Sequence, residues 1–254
     1  MSGFIAFTKK EIVEQIRTYK AFILLAVFFI FGMMSPLTAK LLPDIFANMS
    51  IEGMKIIIPP PTYIDAYTQF FKNTTQMGII VVLLVFSGII AQEVSKGTLI
   101  NVLSKGLSRN AVIFAKYFTS VLVWTVSYTL AALTTFGYTV LLFGSHSTEN
   151  LLFSLFCLWL FGAFVLAVIL LSGTLVNGNY GGLLVTAVIL GGFLILNALP
   201  KFSKFNPFRL TSNNVALLTN SVKISDEITA VIITVILTAV CLAATLIMFN
   251  KKKL

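Results

Sequence analysis

Residues able to do chemistry are few in this chain, and they are scattered. The single histidine, His146, falls in the short polar turn Gly-Ser-His-Ser-Thr-Glu at 144–149. A lone imidazole there, with no second ligand or base beside it, reads as a solvated turn residue. The two cysteines, Cys157 and Cys241, lie inside apolar runs and read as small packing residues. No Gly-x-x-x-x-Gly-Lys-Ser/Thr stretch occurs, so nucleotide is not bound by that phosphate-cradling loop. The acids do not cluster at a spacing that would set a nucleophile, a base and an orienting group together. The expectation is a chain with no catalytic residue, no metal site and no cofactor site of its own.

The elements around these residues explain why. Of 254 residues, 57% are hydrophobic and 11% charged, with mean hydropathy +0.96. Soluble domains run near 45–50% apolar and about 25% charged. A core of this length cannot hide so much apolar surface from water, so lipid is the solvent. A helix needs about 20 mostly apolar residues to cross roughly 30 Å of hydrocarbon. Spans are expected at about 21–42, 76–91, 114–143, 151–176, 181–199 and 228–249. Ser35-Pro36 interrupts the first, where neighbours must satisfy the carbonyl that proline frees. The glycine pairs Gly181-Gly182 and Gly191-Gly192 fit either close helix approach or the usual glycine enrichment of membrane helices. The fold class is therefore all-α integral membrane, one transmembrane domain over 1–254 with no convincing internal repeat.

A net charge of +9 invites a nucleic-acid reading. The cations form no surface stripe, however. They stand between the apolar runs, where lysine and arginine set orientation, so no nucleic-acid partner is expected. Residues 4–20 pattern as an amphipathic interfacial helix, with Ile5, Ile12, Ile16 and Tyr19 on one side and Phe7 off it. With six spans and both termini cytoplasmic, inner segments carry 11 Lys and Arg and outer segments seven. The outer loop with Lys201, Lys204, Arg209 and Lys223 is discordant. Residues 43–75, with Pro59-Pro60-Pro61, and 200–227 are the long extracellular segments. The three basic residues Lys251–Lys253 read as a cytoplasmic stop, and the first span as uncleaved.

The spans hold essentially no ionisable group away from their ends. Charge at the bilayer centre is costly and is kept where function needs it. Its absence argues against an ion-coupled carrier, a metal channel and a membrane-embedded hydrolase. The informative stretch is 69–117. Glu93 stands where span two leaves the membrane, Gly97-Thr98 permits a change of direction, and Leu99, Val102 and Leu103 recur as on one helix face. Gly106 ends that turn of helix, and Ser108 is placed to cap the next. The result is a compact ledge across the ends of spans two and three, small, polar and basic outside. On these grounds alone it is either a plain loop or a surface that receives a soluble partner.

Four short motifs occur here in order: Gln69-x-x-Lys72-Asn73-x-x-Gln76, Glu93-x-x-x-Gly97-Thr98-Leu99, Leu103-x-Lys105-x-Leu107-Ser108-Arg109, and Lys116. Together with the six-span layout they resemble the ABC transporter type 2 permease family. Members often carry proline where this chain has Gly106. The resemblance implies a coupling helix at about 93–109 seated in a groove of a cytoplasmic ATPase. ATP and Mg would be bound by that partner, with nothing bound by this chain. Two ATPases closing on ATP would shift two permeases between inward-closed and outward-open packing. Glu93, Gly97, Thr98, Lys105, Gly106, Ser108 and Arg109 would form the joint. In that role Glu93 and Arg109 make polar contacts, and Gly97 and Thr98 shape the bend.

The resulting expectation is the permease subunit of an ATP-driven exporter in a bacterial cell membrane. A second copy or a paralogue would pair with it. Apolar, uncharged walls suit a hydrophobic or amphipathic cargo, such as an antimicrobial peptide or drug. A secondary transporter or channel is the alternative, and it would work without an ATPase. A membrane-embedded enzyme is the third reading, and it would need clustered His, Asp or Glu.

Overall fold

The computed structural model describes residues 2–48, 59–95, 97, 99, 103, 104, 106–145, 147–176 and 178–252. Thr98, Lys105 and His146 lie outside the described residues. Among the described residues the chain is helical, with six helices or helical runs long and apolar enough to cross a membrane. The helical elements are α1 (Ser2–Arg17), α2 (Lys20–Asn48), α3 (Tyr63–Asn73), a π-helical stretch (Thr74–Gly78), α4 (Ile79–Phe86), α5 (Ala91–Ser95), α6 (Arg109–Phe143), α7 (Leu151–Leu175), α8 (Asn179–Asn197), three short turns α9 (Pro200–Ser203), α10 (Arg209–Ser212) and α11 (Asn214–Leu218), and α12 (Ile224–Lys251).

The helix bounds differ from the expected spans in three places. The second span runs from Tyr63 to Glu93, not from 76 to 91. Its added length is amphipathic: Ala66, Tyr67, Phe70 and Phe71 are buried while Lys72 is exposed, so hydropathy alone does not reveal it. Thr62 starts it, donating from its backbone N–H and its hydroxyl to Asp65, each at 2.8 Å. The π turn follows, where the register of the helix slips by one residue. The first helix ends at Arg17 because Tyr19 adopts φ +59°, and α2 starts at once. The 200–227 segment is three helical turns, not open loop.

Helix α7 is the centre. It is apolar on every side and carries no charge, the pattern of a helix buried all round. Every residue from Gly162 to Leu170 is buried. Helices α4, α6, α8 and α12 pack on it, and α2 packs against α3 and α6. Two places show how the sequence permits this. A Cβ on Gly162 would lie 2.3 Å from the Trp124 ring, so only glycine lets that indole lie against α7. Trp124 Nε1 then donates to Trp159 O (3.0 Å), and Trp159 Nε1 to Thr125 Oγ1 (2.9 Å). Pro36 denies Gly32 its helical partner, and Thr135 Oγ1 on α6 donates to that carbonyl at 3.2 Å. Gly32 permits the approach, since a Cβ there would meet Ala131 O at 2.7 Å.

Of the glycine pairs, Gly182 lies close to Ser87 O and Gly173, whereas Gly191 and Gly192 have no neighbour within 4 Å of an added Cβ. Cys157 is buried and Cys241 half-buried, and both are free thiols.

Candidate functional site: a part-buried ion cluster beside the ledge

The first helix, the start of the ledge and the start of α6 meet at one end of the bundle. On α1, Phe7, Glu11 and Gln15 recur at i, i+4, i+8 and are all buried against the protein. Ile5, Ile16 and Tyr19, which pattern as the apolar side of this helix, are exposed. The helix therefore has two faces. One is turned into the bundle, and the other is apolar and uncovered.

The inward face carries charge to charge. Lys116 is 1% exposed and lies 3.0 Å from Glu11 Oε2 and 2.8 Å from Glu93 Oε2. Lys10 Nζ lies 2.9 Å from Glu11 Oε1, 2.5 Å from Glu14 Oε2 and 2.6 Å from Glu93 Oε1. The Phe7 ring sits beneath both ammonium groups, 5.2 Å from Lys10 Nζ and 5.9 Å from Lys116 Nζ. Partial burial would lower the Lys10 pKa, but hydrogen bonds to Glu14, Glu93 and Glu11 outweigh it and hold the ammonium above the usual lysine value. Lys20 lies within electrostatic reach of the same groups.

Carboxylate oxygens of Glu11, Glu14 and Glu93 lie within 4.8 Å of one another, a spacing a metal ion would accept. The Lys10 ammonium already touches all three, so a cation of the protein itself occupies the place a metal would take. Three carboxylates against two lysines leave a formal charge of −1. Such a knot has little to offer chemically. Mechanically it is stiff, because a buried ion left without its partner is expensive.

The predicted joint residues divide. Glu93 is buried inside the cluster rather than presented outward. Gly97 and Gly106 take φ +65° and +89°, a left-handed backbone that glycine adopts without penalty. Leu99 is buried and Leu103 half-buried, so the ledge rests on the bundle through its leucines. Ser108 caps α6, its hydroxyl accepting from Ala111 N at 3.2 Å. Arg109 reaches sideways to the end of α12: Nη1 donates to Phe249 O (2.8 Å), Asn250 O (3.1 Å) and Lys252 O (2.8 Å). Its guanidinium thus satisfies carbonyls that a helix end leaves open, where cations are favoured. Leu107 lies beside Gly3 of α1, and Lys252 Nζ donates to Thr174 O at the end of α7. The ledge, both terminal helices and the end of α7 are tied together at one end.

Sequence reasoning did not single out Lys10, Glu11 and Glu14, and it used Lys116 only as part of a motif. A signal existed: Phe7-Glu11-Gln15 at helical spacing is a second stripe, but one with a carboxylate in it. At the opposite end, Glu227 is fully buried and receives Arg209 Nε at 3.0 Å and Asn213 Nδ2 at 2.8 Å.

No curated protein matches the chain. A family profile does, over residues 5–254, and its description is "ABC-2 family transporter protein". Since the match takes in all six spans, the ledge and the ion cluster, the chain belongs to the ABC-2 family of transporter permeases, multi-pass proteins of the membrane.

Proposed function

We propose that the chain is the membrane subunit of an ATP-driven exporter, with the end that holds the ledge facing the cytoplasm. Two ATPase subunits bind ATP and Mg and press on residues 93–109 and α1. At least two permease chains, identical or paralogous, form the path across a bacterial cell membrane. The chain itself breaks no bond. Its cargo is hydrophobic or amphipathic, because the spans offer it no charge away from their ends.

The observation that carries this reading is the ion cluster in which buried Glu11, Glu93 and Lys116 are joined by Lys10 and Glu14 at its open rim. It makes α1, the root of the ledge and the first turns of α6 one rigid piece. A push on the ledge is then delivered to the 35-residue α6 rather than lost in a loop. Arg109 extends that piece to α12.

The test is co-expression with an ABC-type ATPase subunit, sought first in the neighbouring reading frames. The two should co-purify, and reconstituted ATP hydrolysis should rise with cargo. Glu93→Gln with Lys116→Met, a pair that removes one charge of each sign, should leave the complex assembled but uncouple hydrolysis from transport. Failure of any ATPase to associate, with transport driven by an ion gradient instead, defeats the proposal.

A further inference from the structure

A cavity of about 900 Å³ opens between α3, α6 and α7, in the half of the bundle away from the ion cluster. We infer that it is a binding site for an uncharged amphipath, apolar body inward and hydrogen-bonding head toward the 144–150 turn.

Its wall is aromatic. Phe70, Tyr128, Phe156 and Trp159 contribute rings, and Ala132 leaves room between them. Along α6 the wall runs from Thr125 to Phe136, about 17 Å at 1.5 Å per residue. That is roughly half of a 30 Å hydrocarbon layer, the depth of one leaflet. The mouth is flanked by Leu133 and Leu152, both exposed on membrane-crossing helices, so the entrance faces lipid.

Polarity is confined and already engaged. Tyr128 donates its hydroxyl to Leu155 O at 2.9 Å, and Thr125 donates to Val121 O while accepting from Trp159. Thr148 and Tyr67 share a hydrogen bond at the turn end, where Asn150 also stands. These groups keep acceptor lone pairs for a hydroxyl or amide head. Among the described residues no charged side chain lines the cavity. An ionic ligand would lose its hydration there with no counter-ion in return, which excludes that class. A single alkyl or acyl chain, or a flat apolar body, fits the aromatic wall.

This deepens the cargo class named above, and its test contains no ATPase, so its failure leaves the coupling proposal standing. The chain has two tryptophans. Trp159 lines the cavity and Trp124 is fully enclosed. The full chain in phosphatidylcholine nanodiscs is titrated with dodecyl maltoside brominated on its tail, an uncharged quencher. Quenching should saturate at the Trp159 share of the emission. A brominated fatty-acid anion of equal length should bind at least about tenfold more weakly, 1.4 kcal/mol.

Ala132→Phe and, independently, Thr129→Phe should each remove the saturable phase. Leu141→Phe, exposed on the same helix beyond the cavity, should keep it. Two arms identify the source of the occupant. In brominated phosphatidylcholine discs, quenching relieved by unbrominated maltoside marks a resident lipid. Absence of lipid quenching above the Ala132→Phe level marks a single-chain cargo. Linear quenching, equal binding of the anion, or a saturable phase that survives both blocking variants overturns the site.

Discussion

Replacing Lys116 by methionine isolates the energetics of the enclosed cluster. The ammonium is 1% exposed and within 3.0 Å of two carboxylates, one each from α1 and α5. At an effective dielectric of about 20, each contact corresponds to about 5 kcal/mol of attraction. Desolvation takes back much of that, and breaking such a pair typically costs about 3–5 kcal/mol. The variant has an escape: with Lys10 left alone against three carboxylates, one of them can take up a proton. From an ordinary value near 4.3 this costs about 4 kcal/mol at pH 7 but only about 1 kcal/mol at pH 5. The sign follows: the folded variant then holds a proton that its unfolded chain has released, so its deficit grows as pH rises above about 4. For a chain of this size, about 4 kcal/mol lowers the melting temperature by about 8–16 °C. Thermal scans in detergent at pH 7 and pH 5 should show a large gap from wild type that shrinks severalfold at the lower pH. Adding Glu93→Gln should recover part of the pH 7 loss. A Lys116→Met protein melting within about 1 °C of wild type at pH 7, or with a gap independent of pH, would refute the enclosed-charge argument.

Other expectations follow from single contacts. Gly162→Ala drives a methyl into the Trp124 ring and should cost about 1–3 kcal/mol with a shifted tryptophan emission, while Gly137→Ala, where nothing lies within 4 Å, should be neutral or stabilising by up to about 1 kcal/mol. Thr135→Val strands the Gly32 carbonyl and should cost about 1–3 kcal/mol in a thermal scan, and much less in a Pro36→Ala background, where a backbone N–H returns to that carbonyl. Arg109→Gln should speed amide exchange in the last turn of α12, around Asn250, while leaving the centre of α7 protected.

The fold was legible where apolar length decides it. Six spans follow from hydropathy alone. What escaped the sequence has a common physical cause: partners supplied from distant positions. Tyr63–Asn73 reads as a mixed loop because half its surface is polar, yet its phenylalanines are covered by α2 and α6. Glu11 counts as a polar residue of an interfacial helix until Lys116, 105 positions away, comes to meet it. Glu93 was chosen for its place at the helix exit, and the structure gives it that place with its side chain inward. Arg109 reads as a polar contact at or beside the joint, and within the chain its partners are the carbonyls of α12. On the ledge itself, Ser104 and Gly106 are exposed.

The discordant basic loop at the far end has a physical explanation of the same kind. A count of lysine and arginine treats Arg209 as a free cation, but Glu227 lies 3.0 Å from it and is wholly buried. Lys40 leans on Leu142 O at 3.3 Å, the carbonyl end of α6, where a cation complements the helix dipole. Asp226 and Glu227 open α12, where acidic side chains are favoured. Arg209 balances a carboxylate beside it, so the loop has less unpaired positive charge than its composition indicates. Unpaired cations should therefore count most in orienting the chain, and Lys9 and Arg17 on the exposed side of α1 are of that kind. Exchanging both for glutamine should weaken a termini-inward orientation more than Arg209→Gln strengthens it, as read by labelling of single cysteines placed at each end. Equal effects from the two changes would mean that charges are counted before they are paired.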